Sequence, residues 1–224
     1  MACYLHPERQ VYRSELLDTM PWLRHGFGTA LAVDWPGDTA TLKQTHSDHV
    51  HVVATSCCGE QGEGDALVTN VAGTAVSIRT ADCVPVLLAD PVHHVVAAVH
   101  AGWKGTSKAI VQRAVERMTA DFGTRPGHLV AAVGPAIGEC CYEVSADVGV
   151  QFTRYGVEIP KEGKPHLNLA QINRMQLVEA GVAQVDVLDV CTKCEATLCH
   201  SFRRDGERSG RMHAVIGIYT EGRN

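Results

Sequence analysis

The 224-residue sequence contains no apolar run approaching the roughly 20 residues that a membrane-spanning helix requires. Its first nine residues also lack a basic segment followed by an apolar stretch, so they do not resemble a secretory signal. From these two absences we expect a cytoplasmic protein that has no membrane partner.

The sequence also lacks an excess of positive charge. It has 20 Lys and Arg residues against 25 Asp and Glu residues, which gives a net charge of −5. The basic residues are scattered, apart from one cluster near the end, whereas nucleic-acid binding needs Lys and Arg to be concentrated. We therefore expect no nucleic-acid partner. The nine Cys residues are an odd number, so a disulfide framework fits poorly and reduced thiols are expected.

No repeat, low-complexity tract or long linker divides the chain, so we predict one domain over residues 1–224. Strands are predicted at residues 49–54, 75–79, 84–89, 95–100, 129–133, 184–190 and 212–219. Several of them are continuous apolar runs, which indicates that both faces of the sheet are buried.

Two helices are predicted from their caps and periodicity. Thr106 or Ser107 is expected to cap a helix that continues to about Met118. Its predicted buried face is Ile110, Val111, Ala114, Val115 and Met118. Asn168 is expected to cap a second helix, which ends at Gly181. Its predicted stripe is Leu169, Ile172, Met175 and Val178. Strands interleaved with helices predict an α/β (α+β layered) fold with mixed sheets covered by helices.

Three side chains stand where an apolar run meets a turn: His46, Cys83 and His100. Two His and one Cys suit zinc or copper, and three protein ligands leave a fourth position for water or substrate, as in catalytic zinc sites. The spacing is non-local, 37 and then 17 residues, and matches no short-range zinc signature. The alternative on residue types alone is a buried Cys acting as a small hydrophobe beside two hydrogen-bonded His residues.

Several ordered motifs resemble one known family. They are Gln44-Thr-His46, Gly64-Asp-Ala-Leu-Val-Thr69, Arg79-Thr-Ala-Asp-Cys-Val-Pro-Val86, His100-Ala-Gly-Trp-Lys-Gly105, Val133-Gly-Pro-Ala-Ile-Gly138, Cys140-Cys-Tyr-Glu-Val144, Asn168-Leu-Ala170, Cys191-Thr192 and Ser201-Phe-Arg-Arg-Asp-Gly206. Together they are similar to the YfiH family, whose members have been called multicopper polyphenol oxidases, laccase-domain proteins and purine nucleoside phosphorylases. The resemblance implies zinc ligands at His46, Cys83 and His100. It also implies a YfiH-like fold, which resembles bacterial toxin deamidases with a Cys–His pair.

The resemblance implies an enzyme acting on small molecules, a purine nucleoside and phosphate. Its expected reaction is the zinc-dependent phosphorolysis of adenosine, inosine or methylthioadenosine to base and ribose 1-phosphate, together with adenosine deamination. The chain lacks the H-x-E and P-C-x-x-C pattern of zinc deaminases. Asp82 and Glu143 are therefore the candidate catalytic carboxylates, as proton carriers or as groups that orient a ligand. A turn cap at Asp82 and a solvated Glu143 are the structural alternatives.

Five basic residues are candidates for binding phosphate, because guanidinium groups bind phosphate through paired hydrogen bonds. Three form the cluster near the end, and two lie four residues from a predicted ligand. In order they are Arg203, Arg204, Arg211, Arg79 and Lys104. Plain surface charge is the alternative for each of them.

Three other functions stay open at this point. A copper-dependent phenol oxidase would use the same ligands. A cysteine hydrolase or deamidase acting on peptidoglycan precursors would use Cys83 as nucleophile and His100 as base. A metal-regulated binding module would be non-catalytic. Cys191 and Cys194 form a CxxC that, with Cys199, is a minor candidate for a metal. The neighbouring pair Cys140-Cys141 is interpreted as reduced or buried thiols.

Overall fold

The computed structural model describes residues 3–219. Within this range the strands are β1 Cys3–His6, β2 Val11–Ser14, β3 Leu23–Gly28, β4 Ala40–Lys43, β5 Val50–Val53, β6 Gly59–Glu63, β7 Ala66–Thr69, β8 Ala75–Thr80, β9 Val84–Asp90, β10 Val95–Ala101, β11 Val130–Val133, β12 Gln184–Val187 and β13 Met212–Ile218. The helices are α1 Glu15–Asp18, α2 Trp103–Ser107, α3 Ile110–Phe122, α4 Ala146–Gly149, α5 Leu169–Glu179 and α6 Phe202–Asp205. Short 3₁₀ segments cover Pro126–His128, Val150–Tyr155 and Gly206–Arg208.

The strands form two mixed sheets. A seven-stranded sheet has the order β1-β2-β3-β13-β8-β4-β6, and a six-stranded sheet has the order β12-β11-β9-β10-β7-β5. In the second sheet β9 pairs antiparallel with both β10 and β11, whereas β11 pairs parallel with β12 and β7 parallel with β5. The predicted class, α/β with mixed sheets covered by helices, is confirmed.

The six-stranded sheet is the middle of three layers, with helices on one face and the seven-stranded sheet on the other. Alternate side chains of its strands point to opposite faces. On β9, Val86 and Leu88 pack toward α3 and α5, whereas Leu87 and Ala89 pack toward the seven-stranded sheet. All seven residues of β9 and all seven of β10 are buried. The continuous apolar runs of the sequence are therefore explained by burial on both faces.

All seven predicted strands are present, with ends that differ by up to three residues. Residue 219 lies just beyond β13, and β12 ends at Val187 because the chain then turns toward the loop at 188–194. In the part of the chain that the structure describes, no helix has both the length and the apolar character needed to cross a bilayer.

The predicted cap of the first long helix is wrong. Thr106 and Ser107 lie inside the short helix α2, and α3 begins after Ala109, whose φ of 60° breaks the helical path. The buried Thr106 hydroxyl instead accepts a hydrogen bond from Asn173 Nδ2 at 3.0 Å. The predicted apolar face is confirmed, since these α3 residues are buried: Ile110, Val111, Ala114, Val115 and Met118.

The second predicted helix, α5, is capped as expected. The Asn168 side chain accepts a hydrogen bond from the backbone of Gln171, and Gly181 follows with a φ of +92°. The predicted stripe is correct only for its first turn, because Val178 is 52% exposed. The helix buries polar side chains in place of the later stripe residues, and these are Asn173 and Gln176. Both are hydrogen-bonded to α2, which explains why an apolar pattern did not reveal that face.

Candidate metal centre

Cys83 and His100 converge because they flank the open end of one antiparallel hairpin. Cys83 immediately precedes β9, and His100 lies one residue before the end of β10. In the hairpin register His100 is opposite Pro85 and Ala101 is opposite Val84. The loop between β4 and β5 crosses this end of the sheet and brings in His46. Residues distant in sequence thus meet at one sheet edge.

The ligand atoms of His46, Cys83 and His100 all lie within 4.8 Å of one another. Cys83 Sγ is 3.9 Å from His46 Nε2, and the two imidazole rings meet edge to face with centroids 4.9 Å apart. His100 is 3% exposed, Cys83 is half-buried and His46 is exposed. The group is therefore closed on the protein side and open toward solvent.

One carboxylate, that of Asp65, contacts both the His100 imidazole and the backbone of His46. Its Oδ1 is 2.8 Å from His100 Nδ1 and accepts a hydrogen bond from the His46 backbone N–H at 3.0 Å. Its Oδ2 accepts from the Ser47 N–H at 2.6 Å and from the Ser47 hydroxyl at 2.7 Å. Asp65 is fully buried, and although burial raises its pKa, the hydrogen bonds of His100 and Ser47 hold that pKa well below its usual range.

Asp65 is the functional residue that the sequence analysis missed. It precedes β7, and its carbonyl also accepts the His100 N–H at 2.7 Å, so the two residues are held together twice. A carboxylate on Nδ1 fixes the imidazole orientation and leaves Nε2 as the ligand atom, which is the usual support of a metal-bound His. Nothing about Asp65 in the sequence sets it apart beyond its place in the Gly64-Asp65 motif.

Gly102 leaves the space that the ligands occupy. A Cβ at this position would lie 2.9 Å from His46 Cδ2 and 3.1 Å from Cys83 Sγ. His46 itself adopts a left-handed backbone with a φ of 57°, and Asp82, next to Cys83, has a φ of 85°. Non-glycine residues in this region cost on the order of 1–3 kcal/mol and concentrate at functional sites.

The thiol and the imidazole shift each other's pKa in opposite directions. Burial raises the pKa of Cys83, but hydrogen bonds and charge from His100 and His46 lower it to about 6. Burial lowers the pKa of His100, but Asp65 and Cys83 raise it to about 9. At neutral pH these shifts favour a thiolate beside an imidazolium. Cys83 is therefore already in the form that binds metal or acts as a nucleophile.

Asp82 has a different position from that expected of a proton carrier. Its Oδ1 accepts a hydrogen bond from the Thr192 hydroxyl, and its Oδ2 accepts one from the Arg203 backbone N–H, each at 2.6 Å. Both oxygens are thus engaged in holding the turn before Cys83 against two later loops. These contacts agree with the structural alternative, in which Asp82 caps a turn, rather than with a role as proton carrier. Nothing in the sequence indicated that Thr192 would be a partner of Asp82.

Glu143 is exposed and forms an ion pair with Lys164 at 2.9 Å. The hydrogen bond and charge of Lys164 lower the pKa of Glu143, which makes it a poor proton donor at neutral pH. Its carbonyl accepts a hydrogen bond from the guanidinium of Arg203 at 2.9 Å, and that guanidinium lies 5.1 Å from the Tyr142 ring centroid. The pKa of Tyr142 is raised to about 12, first by burial and then by the negative charge of Cys83.

The five candidate phosphate ligands divide into two groups. Arg204 donates hydrogen bonds to the carbonyls of Thr192, Lys193 and Cys199 and pairs with Asp205, so its guanidinium stabilises a loop. Arg204 is therefore no longer a candidate for binding phosphate. The others are exposed, and these are Arg79, Lys104, Arg203 and Arg211.

Within this second group the side chains differ. Arg211 donates to the carbonyls of Ser209 and Gly210. Lys104 lies 5.7 Å from the Trp103 ring centroid. Arg203 has the strongest structural link to the metal-site residues, through its backbone hydrogen bond to Asp82.

The donor set fits a single zinc or copper ion. Imidazole and thiolate suit both metals, and three ligands with one open side match a catalytic rather than a structural zinc site. Among the described residues, this group offers only two His ligands, and the other group of metal-ligand type contains only cysteines. A centre holding several copper ions is therefore not supported by the donors that the structure brings together.

Comparison with known proteins places the chain in a family. Residues 25–219 match the family model described as multi-copper polyphenol oxidoreductase laccase. A purine nucleoside phosphorylase of Deinococcus radiodurans is 47% identical over 184 residues, 81% of this chain and 70% of that protein. An adenosine deaminase, RL5, from an unknown prokaryotic organism is 37% identical over 199 residues, 81% of this chain and 75% of that protein.

Two solved structures have the same fold as this chain. The Bacillus licheniformis protein YfiH superposes with a TM-score of 0.86 at 28% identity, over 96% of this chain and 98% of that one. YlmD from Geobacillus stearothermophilus superposes with a TM-score of 0.87 at 25% identity, over 98% of this chain and 100% of that one. This chain belongs to the YfiH family, the family of the multi-copper polyphenol oxidoreductase laccase model.

Proposed function

We propose that the protein is a metal-dependent purine nucleoside phosphorylase that also deaminates adenosine. The observation that carries the proposal is the convergence of His46, Cys83 and His100 on one point with one side open to solvent. The substrate class comes from relatives named purine nucleoside phosphorylase and adenosine deaminase. Adenosine, inosine and methylthioadenosine are the proposed nucleosides, and phosphate is the second substrate.

The three ligands would hold zinc, or alternatively copper, which supplies a Lewis acid when bound. The residues of the chain prepare the site for that ion. Asp65 orients the His100 ring through Nδ1, and the lowered pKa of Cys83 keeps its sulfur deprotonated. Gly102 leaves room beside both His46 and Cys83. These supports are already formed, and binding of the ion would displace the proton that the raised pKa holds on His100.

In phosphorolysis an oxygen of phosphate forms a bond to C1′ of the ribose while the C1′–N9 bond breaks. The bonding electron pair leaves with the base, which takes up a proton. Arg203 is the proposed phosphate ligand, because it is exposed, lies over Tyr142 and is joined to Asp82 beside Cys83. Arg79 and Lys104 are further candidates for this anion. In the second activity water replaces the amino group of adenosine, and ammonia leaves.

One observation favours a second candidate function. The thiolate–imidazolium pair formed by Cys83 and His100 is the arrangement of a cysteine hydrolase or deamidase, for which peptidoglycan precursors are the proposed substrates. In that reaction Cys83 would be the nucleophile, and metal would inhibit by occupying its sulfur. The two functions make opposite predictions for metal removal.

The test begins with protein purified without added copper, in which bound metal is measured. The protein is then incubated with adenosine, with and without phosphate, and the products are separated by chromatography. Phosphate-dependent release of adenine supports phosphorolysis, and inosine formed without phosphate supports deamination. Activity that survives chelation but not Cys83→Ser would instead support the hydrolase. Phenol oxidation seen only after copper addition would support the oxidase.

Matched variants make the test specific. His46→Ala should lose both bound metal and nucleoside turnover, whereas His51→Ala, a half-buried His on β5 outside the ligand group, should lose neither. Arg203→Ala should raise the KM for phosphate about tenfold or more, the loss of a charge-assisted contact, with Arg208→Ala as an exposed control nearby. Unchanged turnover in a metal-free His46→Ala protein would remove the metal from the mechanism.

A further inference from the structure

Four cysteine side chains meet at a second place in the fold. Cys140 and Cys141 come from the loop after β11, and Cys191 and Cys194 come from the loop after β12. The four sulfurs all lie within 4.8 Å of one another. β11 and β12 are parallel neighbours, so their following loops leave the sheet at the same edge. The partners of the CxxC are therefore the vicinal pair, and the buried Cys199 is outside the group.

Backbone hydrogen bonds fasten the two loops to each other. Ala136 and Cys191 form an isolated parallel bridge. The Ala136 N–H donates to the Val190 carbonyl at 3.3 Å, and the Thr192 N–H donates to the Ala136 carbonyl at 3.0 Å. The convergence of the sulfurs is thus imposed by the fold rather than by a chance meeting of free loops.

Two of the sulfur–sulfur separations are close to those of a tetrahedral thiolate site. Cys194 Sγ is 3.5 Å from Cys141 Sγ and 3.9 Å from Cys140 Sγ. With zinc–sulfur bonds of about 2.3 Å, sulfurs at the corners of a tetrahedron lie about 3.8 Å apart. All four cysteines are free thiols, so no disulfide accounts for their proximity.

Gly138 adapts the backbone to this cluster. Its N–H donates to Cys191 Sγ at 3.2 Å. A Cβ at this position would lie 3.3 Å from Cys140 Sγ and 3.5 Å from Cys191 Sγ, so a side chain would crowd the sulfurs. Backbone N–H groups directed at sulfur are a common support of metal-bound thiolates.

We propose that Cys140, Cys141, Cys191 and Cys194 bind one zinc ion, or another thiophilic transition-metal ion. They would form a closed structural site that is separate from the His46–Cys83–His100 site. Four thiolates saturate a tetrahedral ion and leave no position for substrate. Four thiolates and one divalent ion carry a net charge of −2. The half-buried Arg204, whose charge is paired with Asp205, donates to the carbonyls of Thr192 and Lys193 and so fixes the loop between Cys191 and Cys194.

The site would stabilise the turn that carries Cys83. The Ile137 N–H donates to the Asp82 carbonyl at 2.9 Å, and the Thr192 hydroxyl donates to the Asp82 carboxylate at 2.6 Å. Each donor belongs to one of the two loops that the proposed ion joins. The metal therefore acts on the neighbouring site by holding these loops in place.

The first test counts metal ions. The full chain is purified under reducing conditions, and zinc and iron per chain are measured by mass spectrometry. We expect two ions in the wild type, one in Cys194→Ser and one in His46→Ala. Cys58→Ser is the matched control, because Cys58 is an exposed thiol outside both groups, and it should keep both ions.

The second test uses a spectroscopic signature that does not depend on activity. In Cys83→Ser the first site has no thiolate, so any thiolate-to-cobalt charge-transfer band of the cobalt-loaded protein must come from the four cysteines. A strong band in Cys83→Ser that disappears in the Cys83→Ser/Cys194→Ser double variant supports the proposal, even if single variants are unstable. The failure of the proposed catalytic function would not affect this outcome.

Two results would overturn the proposal. One is an equal metal content in the wild type and a folded Cys194→Ser variant. The other is a Cys141–Cys194 disulfide, found by non-reducing peptide mapping of the native protein with no metal bound to the cluster. If the tetrathiolate site forms, metal removal should also lower the Tm of Cys83→Ser by several degrees and lower that of the Cys83→Ser/Cys194→Ser double variant by clearly less.

Discussion

His100 and Asp65 are joined by two contacts, backbone N–H to carbonyl at 2.7 Å and imidazole Nδ1 to carboxylate at 2.8 Å. The first contact follows from the pairing of β7 with β10, since Asp65 immediately precedes β7 and His100 lies near the end of β10. The second contact uses that proximity to orient the ring. The same carboxylate holds the backbone of His46. One carboxylate therefore orients the His100 ring and fixes the backbone that carries His46.

Replacing this carboxylate by the amide in Asp65→Asn should weaken metal binding about 10- to 100-fold, the usual effect of removing a hydrogen-bond partner of a metal ligand. Metal affinity is measured by competition with a chromophoric chelator. Asp90→Asn is the matched control, because Asp90 is also fully buried and lies 2.8 Å from His93 Nδ1, at the opposite end of the β9–β10 hairpin. It should reduce stability but leave metal affinity unchanged; an equal loss of affinity in both variants would contradict the role assigned to Asp65.

A methyl group at residue 102 should crowd the ligands directly. Gly102 has an extended backbone, with φ −72° and ψ 174°, that alanine also adopts, so Gly102→Ala introduces no backbone strain. Its Cβ would press on His46 and Cys83 and should lower metal affinity at least about tenfold, the scale of core overpacking. Gly127→Ala is the control, since nothing lies within 4 Å of its Cβ. Isothermal titration of the two metal-free variants with zinc measures both affinities. Equal affinities would show that His46 and Cys83 shift away from the added methyl group without cost to metal binding.

The Thr192 hydroxyl should matter more than an ordinary buried hydroxyl, because it donates to the carboxylate of Asp82. Thr192→Val should lower the free energy of unfolding by about 1–3 kcal/mol and also weaken metal binding through the turn before Cys83. Thr69→Val is the comparison, since the buried Thr69 hydroxyl donates to the neutral carbonyl of Val53 at 2.9 Å. Urea unfolding and metal titration of both variants provide the readout. If Thr192→Val binds metal as tightly as the wild type, the contact between Thr192 and Asp82 does not support the metal site.

The buried His25 should make the protein sensitive to acid. Its Nε2 accepts the Ser14 N–H at 3.0 Å, and burial together with the charge of Arg13 lowers its pKa from 6.5 to about 4. Because the folded-state pKa is depressed, the unfolded chain takes up the proton first, and stability is lost as the pH falls from about 6.5 toward 4. The loss from this residue amounts to at most about 3 kcal/mol.

Urea unfolding of wild type and His25→Gln between pH 7.5 and 4.5 measures this contribution. The difference between the two proteins should shrink toward low pH, because the variant lacks the imidazole of residue 25, which takes up a proton on unfolding. His128→Gln, an exposed histidine, should follow the wild type. Parallel pH profiles for wild type and His25→Gln would mean that His25 does not titrate as the structure indicates.

Much of the fold was predictable because burial leaves a clear trace in apolar sequence. The runs that became β9 and β10 are buried on both faces, so almost every position is apolar, and the exceptions are Asp90 and His100 near the strand ends. The Asn168 cap was predictable because capping is local. The stripe of α5 was not, since Asn173 and Gln176 are buried against α2 and no apolar period marks such a face. The left-handed Ala109 between α2 and α3 was equally without a local signal.

The sequence by itself predicted five of the six strands of the central sheet, all but β7, and the three candidate ligands, because apolar runs and family motifs can be read without the structure. Only the tertiary structure decided which side chains contact one another. Asp65 contacts His100, Thr192 contacts Asp82, and Arg204 binds the carbonyls of a loop. Cys140 and Cys141 lie beside the two cysteines of the CxxC. Each of these contacts joins residues from separate elements. A hydrogen bond or a sulfur cluster depends on distance and direction in space, which sheet order and register establish and the order of residues does not express.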